Sequence, residues 1–184
     1  MARFASSFET YTALTSVALS FNSVPTFATG AAAGYMGALV ANATTGSIKL
    51  RRLTLGCRVS SGGIVPTSQQ VTVAIFRQTT RASGGITTIT GANNLDPTTV
   101  TPSAVGIDAL TAPASVTTAP VLTAANPNPL YRVTFNTQNT VDVPFENPEE
   151  LICPAGSAFA LVSIGTSNTL PASHLLTVHL EWEE

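Results

Sequence analysis

Charge is what this sequence has least of. Lysine and arginine number 8 and aspartate and glutamate 10, so 10% of the 184 residues are charged, against roughly 25% in an ordinary soluble chain. A domain so poor in charge either buries much of its surface against other subunits or coats it with threonine, serine and asparagine. The net charge of −2 lacks the basic excess that nucleic-acid binders carry, so no nucleic acid is expected as a partner. Cysteine is nearly absent. Cys57 and Cys153 stand in no metal or redox spacing and are expected as buried free thiols. Long apolar runs are missing as well: Val24 to Ala41 is rich in alanine and glycine, but Pro25, Thr26, Thr29 and three glycines make it a poor membrane span. No membrane partner is expected. After Arg3 come Phe4, Ser6, Ser7 and Glu9, not the apolar core of a secretory signal.

The few charges are segregated. Lys49, Arg51, Arg52, Arg58, Arg77 and Arg81 occur with no acid between Glu9 and Asp96, and no base follows Arg132. Two readings are open. The two halves pair within one sheet, as cross-strand charges do, or a basic face of one subunit meets an acidic face of the next.

Alternation is what is present. Leu53, Leu55, Cys57 and Val59 alternate with Thr54, Gly56 and Arg58, the period of a half-buried strand. Ile48 and Leu50 alternate one residue out of phase, so a bulge or corner is expected near Arg51 and Arg52. Val71, Val73 and Ile75 repeat the period after a turn-like stretch from Ser61 to Pro66, and the two runs are expected to be neighbouring antiparallel strands. Tyr131, Val133 and Phe135 alternate, then Val141, Val143 and Phe145, with a turn over 136–139. Ala158 to Gly165 is apolar throughout and is expected to be buried on both faces. At the end, Leu176, Val178, Leu180 and Trp182 point inward by period, with Thr177, His179, Glu181 and Glu183 outward.

Residues 1–45 read as an N-terminal arm followed by a first strand. Phe4, Phe8 and Tyr11 are aromatics on a small, polar segment, and Val17, Leu19 and Phe21 share one strand face. The glycine-rich stretch from Gly30 to Gly37 reads as extended, with a short helix as the alternative. Residues 46–184 read as the β-domain, interrupted by a long Thr/Ala/Pro-rich insertion over 79–129. Its repeated proline and glycine breakers mark it as an exposed loop or arm, in which Ile86 to Ile89 and Ile107 to Leu110 are short ordered pieces. The expected fold is all-β: an antiparallel β-sandwich of jelly-roll type with an arm and an insertion.

Leu50 to Leu55, Val71 to Arg77, the insertion and the terminal Val178 to Glu183 together resemble small structural proteins of tailed-bacteriophage virions, most of all the capsid decoration (cement) proteins with a jelly-roll core. The resemblance covers 48–78 and 130–184. It implies a non-enzymatic protein, commonly a homotrimer, made in the host cytoplasm and carried on the capsid exterior, where it clamps the lattice of the major capsid protein. Phe4, Phe8 and Tyr11 of the arm are the expected partner or oligomer contacts, since aromatic anchors carry much of an interface, with Arg51 and Arg52 adding polar contacts. The alternative is a fibre, spike or tail-associated β-sandwich that binds host glycan. The insertion, however, has no Trp, Tyr or Phe to stack on sugar.

Catalytic chemistry finds little support. His179, Glu181 and Glu183 share a strand face and could reach one ion, but that face is the outward one. Serines, the two histidines and Asp142 contain no nucleophile-elbow pattern, and no glycine loop precedes a helix to cradle phosphate. Glu149 and Glu150 would splay apart on a strand. No catalytic residue, metal or cofactor is expected.

Overall fold

The structure is a computed structural model that describes residues 2–18, 23–41, 46–60, 65–90, 92–95, 106–123, 128–145, 151–165 and 169–184. In chain order its strands are β1 (Arg3–Glu9), β2 (Tyr35–Val40), β3 (Ile48–Val59), β4 (Gln70–Thr80), β5 (Ile86–Ile89), β6 (Asn93–Asn94), β7 (Gly106–Leu110), β8 (Val121–Leu122), β9 (Tyr131–Asn136), β10 (Val141–Pro144), β11 (Ile152–Cys153), β12 (Ala158–Ile164) and β13 (His174–Glu183). A 3-10 turn spans Pro113–Ser115. The strands form two antiparallel sheets packed as a β-sandwich. Sheet 1 runs β10-β3-β13-β1-β6, with β11 also on β3; sheet 2 runs β5-β7-β2-β12-β4-β8, with β9 also on β4.

The alternation in the sequence places the main core between the sheets. Leu50, Leu53 and Leu55 of β3 and Leu176, Val178, Leu180 and Trp182 of β13 meet Leu39, Val73, Ile75, Phe159 and Leu161 of sheet 2. The expected bulge is present. β13 pairs Glu181 with Arg52 but Trp182 with Leu50, so Arg51 is the extra residue that lets Leu50 and Leu53 both face inward. β3 and β4, expected as neighbours, lie instead in different sheets. Their connection over 60–69 is long enough to cross the layers, which stack about 10 Å apart.

A second apolar cluster lies on the outer face of sheet 2. Ala38, Val40, Ala74, Phe76, Ala158, Ala160 and Val162 belong to it, together with Ala32, Ala82, Val116 and Leu122. β12 therefore has apolar neighbours on both faces, and all seven of its residues are buried, as its unbroken apolar run requires. Among the described residues the large exposed hydrophobics are Val65, Leu95, Val121 and Tyr131. The low charge is thus matched by a small-polar coat more than by bare apolar surface.

Two expectations about the ends and the insertion are corrected. Within 1–45, read as an arm and a first strand, Arg3–Glu9 is no free arm. β1 pairs with β13 along seven residues, from Arg3 opposite Glu183 to Glu9 opposite Thr177, and β2 lies between β7 and β12. The strand expected over Thr15 to Phe21 is reduced to bridges at Thr15 and Val17, while Leu19 and Phe21 lie outside the described residues. Within the insertion, the short ordered pieces expected at Ile86 to Ile89 and Ile107 to Leu110 are strands, and they do not lie free. β5 and β7 extend sheet 2, and all five residues of β7 are buried.

Candidate functional site

The structure gives each of the five expected contact residues contacts within its own chain. Phe4 and Phe8 belong to the core between the sheets, with 0% and 5% exposure, and the Phe4 ring lies 6.1 Å from that of Trp182. Their spacing on a small, polar segment suggested anchors for a partner. The partner is β13 of the same chain, because i and i+4 on a strand share a face. Tyr11 is half-buried against both apolar clusters, and its Oη accepts the Gly34 N–H at 2.9 Å. Burial pushes its phenol above the ordinary value, against the hydrogen bonds it accepts. Arg51 donates to Glu183. Arg52 donates to Glu181 at 3.3 Å and lies 3.5 Å from Asp142.

These pairs form a polar band across the outer face of sheet 1. Arg3 joins Glu183 at 3.0 Å, and Arg58 grips Glu9 with two hydrogen bonds. The basic and acidic halves of the sequence therefore meet across strands of one sheet. Burial pushes the Glu183 carboxyl up, but the Arg51 and Arg3 hydrogen bonds outweigh it and hold the group below the usual range. The Arg58 hydrogen bond does the same for Glu9. Glu183 is thus occupied by two guanidiniums, and among the described residues no group of three His, Cys, Asp or Glu side chains could hold a metal ion.

Within the band lies a serine–histidine–acid contact chain that the sequence did not single out. Ser7 Oγ is 2.8 Å from His179 Nδ1, and His179 Nε2 is 3.5 Å from Glu181 Oε1. Cross-strand register alone brings Ser7 opposite His179, a pairing no local motif could reveal. Acyl transfer would also need a desolvated oxyanion site. Here the Ser7–His179 contact is exposed, and Glu181 is shared with Arg52. What the contacts supply is a tie between β1 and β13.

Sequence reasoning also missed the most buried charge. Asp108 of β7 is 1% exposed. It accepts two hydrogen bonds from Arg81, at 2.8 Å each, and one from Thr88 at 2.8 Å. Arg81, Ser83, Gly84, Ile86, Thr88 and Asp108 line an open pocket. Behind it, Tyr35 donates to Gln78 at 3.0 Å, and burial pushes its phenol far up. The signal was an aspartate inside the apolar run Ile107 to Leu110, since a buried carboxylate requires a paired cation. Asp108 and Arg81 neutralise one another, so the pocket offers a fixed ion pair and hydroxyls but no spare base. Its chemical work is to join β7, β5 and the end of β4. Gly85 makes the adjoining turn possible: at φ +61°, a Cβ there would stand 2.1 Å from the Ala112 carbonyl oxygen.

Cys57 and Cys153 are both free thiols. Cys153 is buried, which pushes its thiol up to about 12; Cys57 is half-buried and raised by the same cause. The pair Glu149 and Glu150 lies outside the described residues. No protein-family model, curated protein or solved structure matches the chain.

Proposed function

We propose that this protein is a non-enzymatic structural protein of a tailed-phage virion, a decoration subunit that binds the outside of a capsid shell. The observation that carries this is strand order. Numbered 1 to 8 along the chain, the main strands β1, β2, β3, β4, β9, β10, β12 and β13 read 6-3-8-1 in one sheet and 2-7-4-5 in the other. We read that order as a jelly roll, the architecture of many viral capsid and lectin domains. The strings that resemble decoration proteins fall on β3, β4 and β13 of this core. Fold alone does not give function; the resemblance of those strings is what turns the jelly-roll order toward a capsid role.

The docking surface is not the N-terminus, since β1 is committed to sheet 1. The outer edge of sheet 2 is the better candidate. There, among the described residues, β9 pairs with β4 alone, Tyr131 is 36% exposed, and Arg132 is exposed with no carboxylate partner. A capsid loop could pair with this edge by strand addition. A homotrimer would present three such edges. For the glycan alternative, the Arg81–Asp108 pocket has no aromatic ring in its lining, which removes the usual stacking platform for sugar.

Sedimentation tests the proposal. The purified protein is mixed with tailed-phage heads that lack outer decoration, and the pellet is assayed for bound protein, with light scattering for its oligomeric state. Saturable co-sedimentation of an oligomer is the expected result. A monomer that stays in the supernatant at every concentration would overturn the proposal.

A further inference from the structure

We infer that His174 is an acid-released latch on the strap Val65 to Gln69 that leads into β4. His174 opens β13 and is 3% exposed. Its Nε2 accepts the Thr67 backbone N–H at 2.9 Å, and its Nδ1 lies 3.5 Å from Ser173 Oγ. An imidazole nitrogen accepts a hydrogen bond only when it is unprotonated, so this contact requires the neutral tautomer with the proton on Nδ1. Protonation of Nε2 removes the lone pair and sets two N–H groups against each other.

Among the described residues, none of the segments next to His174 carries a group that would compensate the imidazolium. The strap Val65 to Gln69, the turn Asn136 to Gln138 and the stretch Thr169 to Ser173 contain no ionisable side chain. On β3 the register partner is Val59, and the next residue, Arg58, is tied to Glu9 on the outer face. A buried charge without a counter-ion is unfavourable, so the ring charges by leaving the latched position. Histidine is the side chain whose ordinary titration lies between about pH 5 and 8.

The release is local because the strap has other fastenings. Thr137 Oγ1 accepts the Gln69 N–H and donates to the Thr67 carbonyl, and Asn136 Nδ2 donates to Ser68 Oγ. Gln138 Nε2 also donates to the Pro66 carbonyl at 3.2 Å, so the release is confined to the Thr67 N–H, close to Val65, which is 71% exposed. The carboxylates Glu9 and Glu183 are held below their usual range and remain ionised at pH 5, so the ion pairs of sheet 1 stay closed while the latch opens.

Amide hydrogen exchange on the full chain, corrected for intrinsic rates, tests this. The protection factor at Thr67 should fall at least tenfold from pH 8 to pH 5 while the β13 ladder amides keep theirs. The fall should persist in His179→Gln and vanish in His174→Gln. Unchanged Thr67 protection in the native protein, or its loss together with the whole of β13, would overturn the latch. Nitrogen NMR of the native imidazole keeps the test decisive even if His174→Gln fails to fold. An unprotonated Nε2 at pH 8 is required, and a proton found there would refute the inference.

Discussion

Removing residues 1–12 should unfold the domain. The deletion takes away β1, with Phe4 and Phe8 from the core and the Glu9–Arg58 pair. Truncating one buried phenylalanine costs about 3–5 kcal/mol. Phe4 and Phe8 stand roughly 13 Å apart along the strand at about 3.3 Å per residue, far enough for their losses to add. Together they approach about 6–10 kcal/mol, comparable with the whole stability of an ordinary domain, about 5–15 kcal/mol. The deletion also strips the hydrogen bonds along one edge of β13. The single variant Phe4→Ala gives a graded version, with a loss of about 3–5 kcal/mol in urea melts. Trp182 is the one tryptophan and lies 6.1 Å from the Phe4 ring, so its emission should shift to the red in that variant. A truncated protein that melts cooperatively within about 1 kcal/mol of the full chain, less than a single lost core ring, would refute the assignment of β1 to the core.

Asp108→Ala should destabilise by about 2 kcal/mol in denaturant melts; breaking a fully buried pair costs about 3–5 kcal/mol, but Arg81 is 45% exposed and can rehydrate. Because Glu183 is held below its ordinary value of 4.5, its stabilisation is present above that value and lost as pH falls through the lower folded value. Melting temperature should therefore drop on acidification below about pH 4.5, the ordinary carboxyl value, and Glu183→Gln should flatten part of that drop. With its thiol pushed up to about 12, Cys153 should resist iodoacetamide at pH 8 in the folded protein and react after denaturation. Rapid native labelling at Cys153 would contradict its burial.

Strand positions were legible because burial on one face writes a period of two into the chain. β3, β4, β9, β10 and β13 could be read this way, and the phase slip at Leu50 even located the bulge at Arg51. β12 was legible as a buried run for the opposite reason, since it has apolar neighbours on both faces. What stayed hidden was long-range pairing. Phe4 and Phe8 carry the same pattern whether they insert into a partner or into their own sheet, and only the register with Trp182 and Val178 decides between these. Asp108 and Arg81 lie 27 residues apart; the ordered pieces at Ile86 to Ile89 and Ile107 to Leu110 were legible, but not the ion pair that joins them to the end of β4. Sheet membership was hidden as well. The 60–69 connection permits a hairpin-like return or a layer crossing, and the core between β3 and β4 selects the crossing.

The most direct test of the proposed role is an electron cryomicroscopy reconstruction of undecorated tailed-phage heads after incubation with the purified protein. The expected result is extra density on the outer surface at symmetry-related sites, into which the two-sheet sandwich fits with the β9 edge against the shell. Heads that remain bare at saturating protein, with no density beyond the shell itself, would contradict the capsid-decoration role.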